Sequence, residues 1–423
     1  MELLASPKQP QLERLKDWYP YYAGYTSAFA AGVFATDLSA ARSVLDPWNG
    51  SGTTTAVAAA RGVSCLGIDL NPASSVVARA RLTPRSIADS LSPIAADIVS
   101  QSERLRPLER EVEPLSSWLQ DTTVRHIRKL QRAVHLVTAA DEPLEMDLAL
   151  GSVGAPARLP LITAFFYTAL FATCRDLLRS FRASNPMWLV APRSPQRRLR
   201  PNAATVHAAF LRRVDYLCVR LAVERPDSSE LAELLTGPAE TLLPRDGSFD
   251  ACLTSPPYAT RIDYIKGLLP ELSILGLSPK SVDLLRRQST GTPVVRGVAL
   301  TDQRIPAPAS ELVERVANHG SHGSANYYAP WLRNYLAQLH ETLEAVSASV
   351  KPAGKVALVV QDSYYKAIHI DLQQLVRASL AAAGRRLIRT HDFKVTHSMS
   401  NMNTRARGHL PRRSHRESLL VFA

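Results

Sequence analysis

The stretch Val44-Leu45-Asp46-Pro47-Trp48-Asn49-Gly50-Ser51-Gly52-Thr53-Thr54 constrains the fold more than any other part of the chain. Apolar and β-branched residues lead into Asp46 and predict a strand that ends there. Gly50 and Gly52 supply a tight turn, and the run from Thr53 to Arg61, stopped by Gly62, predicts a helix. A strand, a glycine turn and a helix N-terminus together make a pocket in which backbone N–H groups face a ligand. The third glycine of a dinucleotide fingerprint is absent. A second strand, Ser64-Cys65-Leu66-Gly67-Ile68-Asp69-Leu70, follows at once. Its terminal acid precedes Asn71-Pro72, a good N-cap and first helical residue. An acid at the tip of the second strand is where α/β nucleotide sites hold a ribose diol.

Far downstream, the apolar run Phe249-Asp250-Ala251-Cys252-Leu253 leads into Thr254-Ser255-Pro256-Pro257-Tyr258. Two adjacent prolines lock two φ angles and remove two N–H donors, and the residue before each is held extended. The result is a rigid corner just past a strand. It presents a hydroxyl (Ser255), free carbonyls and an aromatic face (Tyr258), a set suited to gripping a planar base that carries an exocyclic amine.

Taken together, Asp46 to Thr54, Gly67-Ile68-Asp69-Leu70-Asn71-Pro72 and Ser255-Pro256-Pro257-Tyr258 resemble the amino DNA methyltransferases, which methylate an exocyclic base nitrogen with S-adenosylmethionine. Trp18-Tyr19-Pro20-Tyr21-Tyr22-Ala23-Gly24-Tyr25 looks like that family's N-terminal cofactor motif. Lys351 to Val360 looks like the turn and strand after its catalytic motif, and Arg416 to Phe422 like its closing strand. The resemblance implies an α/β, Rossmann-like class I methyltransferase fold: a seven-stranded mixed sheet with helices on both faces and helical insertions.

It also implies roles. Ser255, Pro256, Pro257 and Tyr258 become the catalytic tetrad. Asp46, Pro47, Trp48, Gly50, Ser51, Gly52, Thr53 and Thr54 become the loop that holds the methionine part of the cofactor. Asp69, with Leu70 beside it, takes the ribose, and Tyr19 joins the cofactor site. One departure stands out. Where the family carries Gly-Asp-Ala, with the acid on the cofactor adenine, this chain has Gly237-Pro238-Ala239-Glu240, so Glu240 is the candidate substitute. Serine in the first tetrad position leans toward N4 of cytosine, whereas aspartate leans toward N6 of adenine. Alternatives are an adenine-N6 enzyme, an RNA base N-methyltransferase, and a non-catalytic nucleic-acid-binding subunit with a decayed pocket.

In all, 209 positions separate Asp46 from Ser255, far more than a minimal core needs. The expected division is residues 1–84 as the cofactor half, 85–234 as a mainly helical basic insertion, and 235–423 as the catalytic half, with a loop insertion at about 277–325. Helices are expected over Val124 to Ala139 and Ala203 to Leu221, and a buried helix over the apolar run Leu159 to Cys174, which is short for a membrane span. From Arg175 to Arg225 stand eleven arginines against three acids, an excess of eight positive charges in a chain of +12. Arginine forks match phosphate geometry. Arg193, Arg197, Arg198 and Arg200, in a proline-rich loop, and Arg405 and Arg407 near the C-terminus are the candidate nucleic-acid contacts.

Double-stranded DNA is the expected partner, and the resemblance leaves a companion restriction endonuclease open. Cys65, Cys174, Cys218 and Cys252 are scattered, and the histidines lack ligand spacing, so neither a metal site nor a disulfide framework is expected. Met1-Glu2-Leu3 opens no secretory signal, and the expected compartment is the cytoplasm.

Overall fold

A computed structural model describes residues 4–7, 18–19, 24–107, 109–110, 112–139, 159–183, 187–224, 229–294, 305–394 and 416–423. The strands are β1 (Ser43–Asp46), β2 (Ser64–Asp69), β3 (Ala232–Thr236), β4 (Phe249–Thr254), β5 (Val350–Gln361), β6 (Ser363–Tyr365), β7 (Ile368–Ile370), β8 (Leu387–Lys394) and β9 (Arg416–Phe422). Seven of them form one sheet in the order β3-β2-β1-β4-β5-β9-β8, and β6 and β7 make a separate hairpin. β1, β2, β3, β4 and β5 pair in parallel, while β9 runs antiparallel to both β5 and β8. This is the Rossmann-like methyltransferase fold. β9 is an interior strand, so Glu417 to Phe422 are buried on both faces, and most of those side chains are apolar.

The turn chemistry sets the first half. Gly50 and Gly52 take φ of 52° and 80°, and a Cβ on Gly52 would lie 2.7 Å from the Cβ of Ala78. Only glycine lets the turn press against the helix that follows β2. That helix, Pro72–Ala80, begins as the sequence predicts: the Asn71 side chain accepts from the Ala73 amide at 3.0 Å, and Pro72 fills the first turn.

Between this helix and β3 lie the helices Ala88–Arg104, Asp121–Thr138, Leu161–Leu177 and Ala203–Glu224. They do not form a unit of their own. One apolar core joins Val76 and Val77 of the Pro72–Ala80 helix, Phe165, Phe166 and Phe171 of the insertion, and Leu268, Leu272 and Ile274 downstream of β4. Thr163 to Arg175 are all buried, which explains the apolar run there. Among the described residues no helix is long and apolar enough to cross a membrane. The 234/235 boundary expected from the sequence runs through β3, which belongs to the sheet; the insertion ends before Ala232.

Two buried arginines lock the insertion to the segment after β4. Arg175 pairs with Glu271 and donates to the Gly267 carbonyl. Arg128 pairs with Glu113 at 2.7 Å and donates to the carbonyls of Ser273 (2.9 Å) and Ile274 (2.8 Å). Segment 277–325 also departs from its expected loop character. It carries the helices Pro279–Gln288 and Ala307–Ala317, the latter anchored in the core by Ala309, Leu312 and Val316.

Candidate active site

β1 and β4 are parallel neighbours, with Leu45 opposite Cys252, so the glycine turn and the proline corner leave the same edge of the sheet. The chain turns to opposite sides of β1 here, and such switch points open a crevice at the carboxyl ends of the strands. The Asp46 carboxylate ties the two loops together. Its Oδ1 accepts from Thr254 Oγ1 at 2.6 Å and from the Trp48 amide at 3.2 Å, and its Oδ2 accepts from Thr54 Oγ1. Tyr25 closes the junction from below, reaching Thr54 Oγ1 at 2.5 Å and donating to the Leu253 carbonyl at 3.3 Å. Burial pushes the Asp46 carboxyl up to about 6, against the pull of these hydrogen bonds. All of these bonds go to the protein itself, so Asp46 acts as a staple that sets the shape of the loop.

Asp69 sits half-buried at the tip of β2. Its Oδ2 accepts from the Gly50 amide and its Oδ1 from the Asn71 amide, each at 2.8 Å. Each oxygen keeps a further lone pair, so the carboxylate can accept from a ribose diol without releasing the loop. Burial raises this carboxyl to about 6 as well. Gly67 permits a close approach: a Cβ there would lie 2.5 Å from Asn49 Nδ2. Arg81, buried beneath the turn, donates to Thr53 Oγ1 at 3.0 Å and to the Ser51 carbonyl at 3.4 Å. Pro47 is buried, Trp48 packs on the core that includes Leu45 and Ile68, and Leu70 packs on the insertion core. The Gly237 amide donates to the Asp69 carbonyl at 3.0 Å, which sets Pro238 and Glu240 beside the tip of β2. The Glu240 carboxyl is half-buried and raised, chiefly by that burial. The glycine turn, Asp69 and Glu240 thus gather at the carboxyl ends of β1 and β2, where donors and acceptors suited to a nucleoside ligand stand together.

Across the crevice, Pro256 is buried and the Pro257 carbonyl accepts from Tyr335 at 2.8 Å. Ser255 Oγ donates to the Tyr258 hydroxyl at 3.3 Å, and that hydroxyl donates to Glu417 Oε1 at 3.1 Å. Three residues on, Arg261 adopts φ of 54°. Its guanidinium lies 4.6 Å from the ring centre of Tyr328 and 4.9 Å from that of Tyr327, and it donates to the Tyr327 hydroxyl at 2.9 Å. A π-helical turn, Ser324–Tyr328, carries both tyrosines, and such turns gather at functional sites.

Not every candidate joins this cleft. The Tyr19 hydroxyl is spent on Glu271, with Arg175 Nε at 3.3 Å, inside the insertion's clamp. Arg175 therefore drops out of the arginine-rich surface, and Arg213 is paired with Asp176 at 2.5 Å. Arg193, Arg197 and Arg200 are exposed and Arg198 half-buried, none with an ion pair among the described residues. Their loop is pinned rather than loose, since the Leu199 amide bonds the Trp118 carbonyl at 3.0 Å. Arg405 and Arg407 lie outside the described residues. Glu417, Tyr335 and Arg261 escape a reading of the sequence for site residues, whereas Tyr25 ends the string from Trp18 read there as a cofactor motif. Of the first three, only Glu417 leaves a signal there, as an acid inside an apolar strand, where a buried charge demands a partner. Among the described residues no group of histidine, cysteine and acid side chains could hold a metal ion.

With this geometry in place, comparison with known proteins brings out a likeness. The chain is similar to the Type II methyltransferase M.BsoBI of Geobacillus stearothermophilus. The two are 24% identical over 312 residues, which take in 67% of this chain and 57% of the relative. The chain thus matches a little over half the length of that relative. No family model matches the chain. No solved structure matches it either.

Proposed function

We propose that the chain is an S-adenosylmethionine-dependent DNA methyltransferase that modifies an exocyclic base amine, with N4 of cytosine as the first candidate. The observation that carries this reading is the Asp46–Thr254 bond, because it brings the glycine turn and the Ser255 corner to one crevice. The likeness to a Type II methyltransferase supports it.

The glycine turn and Asp69 would hold the cofactor, with Glu240 at the adenine side. Once bound, S-adenosylmethionine supplies an electrophilic methyl group. The chain's own residues then have to position the amine and draw its lone pair out of the ring. Placement alone removes several kcal/mol, up to roughly 7–11 in ideal cases. Ser255 Oγ and the Pro256 carbonyl are the acceptors for the amine hydrogens, and they stabilise positive charge as it develops on nitrogen. A base inside a duplex must first be extruded, at a cost of a few kcal/mol. Its stacking on Tyr258 returns about 1–3 kcal/mol.

Transfer of labelled methyl from S-adenosylmethionine, followed by mass spectrometry of the nucleosides, tests the reading directly. N4-methylcytosine in duplex DNA is the expected product. N6-methyladenine would move the target base, label in RNA would move the substrate, and no transfer would end the proposal.

Cofactor affinity should follow pH through Asp69. Its carboxyl must be ionised to accept from two amides and a diol, and its pKa in the fold is about 6. Affinity is expected to hold above that value and to fall about tenfold for each unit below it. The apo protein should move the other way. Asp46 and Asp69 both bind protons more tightly folded than unfolded, so their contribution to stability is full below the unfolded value of 3.8 and is lost as pH rises from there through about 6. Calorimetric titration with the cofactor between about pH 5 and 8 would show the trend, and a flat affinity across that range would remove Asp69 from the ribose site.

Reversing the charge of Arg193, Arg197, Arg198 and Arg200 together should weaken DNA binding and reduce the salt slope by about one counterion per lost phosphate contact. An unchanged slope would place the phosphate track elsewhere.

A further inference from the structure

We infer that Glu417 fixes which way the Ser255 hydroxyl points, acting through Tyr258, and so makes Ser255 a one-way acceptor at the amine site. This inference rests on the methyl-transfer reading of the same cleft. The juxtaposition is a three-member chain, with 3.3 Å from Ser255 Oγ to the Tyr258 hydroxyl and 3.1 Å from that hydroxyl to Glu417 Oε1.

The direction of the chain follows from counting hydrogens. A carboxylate oxygen only accepts, and a phenol carries a single hydrogen. Tyr258 gives that hydrogen to Glu417, so toward Ser255 it can only accept. The Ser255 hydroxyl therefore gives its own hydrogen to Tyr258, and what Oγ presents to the cleft is lone pairs. Left alone, a serine hydroxyl rotates and both donates and accepts. A hydroxyl that turned its hydrogen on the incoming amine would compete for the lone pair that must attack the methyl group. Glu417 removes that orientation.

The position of Glu417 suits this task. It is 2% exposed, on an interior strand whose other inner residues are chiefly apolar. Polar groups buried this deeply are retained where a network uses them. The chain also stiffens Tyr258, whose ring packs against the core. No proton changes hands in this arrangement, and Glu417 acts as a positioning residue.

A double-mutant comparison under single-turnover conditions tests the assignment. Tyr258→Phe and Glu417→Leu are each expected to lower the methyl-transfer rate about tenfold or more, with the cofactor dissociation constant within about twofold of wild type. Glu417→Gln, whose carbonyl still accepts from Tyr258, should recover most of the rate. In the Ser255→Ala background, Glu417→Leu should cost nothing further, because the hydroxyl it orients is gone. Equal losses from Glu417→Leu with and without Ser255 would overturn the inference, and so would a Glu417→Gln protein as slow as Glu417→Leu. If Glu417→Leu does not fold, Tyr258→Phe takes its place: a loss confined to the Ser255 background supports the inference, and equal losses in both backgrounds overturn it. Wild-type protein that transfers no methyl group to DNA or RNA would instead sink the reading of the site, and the inference with it.

Discussion

Ser255→Ala is expected to lower the rate of methyl transfer by about 10²–10³-fold and to leave the cofactor dissociation constant near its wild-type value. The size of the effect follows from what the side chain supplies. On the proposed reading its oxygen is one of two acceptors for the amine, and losing one preorganised partner of a developing charge is worth about 2.7–4 kcal/mol in comparable sites. The cofactor half is untouched, because the turn is held by Asp46, Asp69 and Arg81 rather than by Ser255. The rigid corner also survives, since Pro256 and Pro257 remain and the Pro257 carbonyl keeps its bond to Tyr335. Equilibrium dialysis for the cofactor and rapid-quench kinetics for the transfer separate the two effects. A variant with wild-type turnover would remove Ser255 from the chemistry, and one that fails to bind the cofactor would mean the two halves are more tightly coupled than the hydrogen bonds indicate.

Arg175→Met is expected to destabilise the protein by about 3–5 kcal/mol, the usual consequence of leaving one member of a buried ion pair alone. Glu271 is 0% exposed, and it would lose the guanidinium while keeping the Tyr19 hydroxyl. The same substitution frees the Gly267 carbonyl, downstream of the Ser255 corner. Denaturant titration of wild type, Arg175→Met, Glu271→Leu and the double variant measures the effect. The double variant should recover much of the loss, because no bare charge then remains in the core. A midpoint unchanged in Arg175→Met would show that the clamp contributes little, and the view of the insertion as integral to the fold would fail with it.

What could be read along the chain and what could not divide by range. The end of β1 at Asp46, the turn at Gly50 and Gly52, the cap at Asn71-Pro72 and the corner at Ser255 are local devices. Each depends on residues within a few positions, so φ restrictions and capping chemistry reveal them. The meeting of the two motifs was legible only as an expectation, and the short bond from Thr254 to Asp46 spans 208 residues. The Tyr258–Glu417 contact spans 159 residues and leaves only the oddity of an acid in an apolar strand. Arg261 leaves nothing at all, because the rings it packs against, Tyr327 and Tyr328, come from a distant segment of the chain. The arginine-rich stretch misleads in part. Composition counts Arg175 with its neighbours, yet burial against Glu271 removes it from the surface. The Tyr19 hydroxyl serves that same ion pair, a contact 252 residues away that nothing local announces. The Ala307–Ala317 helix hides because the partners of Ala309, Leu312 and Val316 lie on distant segments of the core.

The shared apolar core between the insertion, the Pro72–Ala80 helix and the segment after β4 bears on how such a protein can change over time. A recognition region that owned its core could be exchanged whole between relatives, like a cassette. Here the four helices share their core with the segment after β4, so excising residues 85–231 would leave both pieces with exposed hydrophobic faces. Change in this region must then come by piecemeal edits to surface loops, each tested against the integrity of the entire molecule.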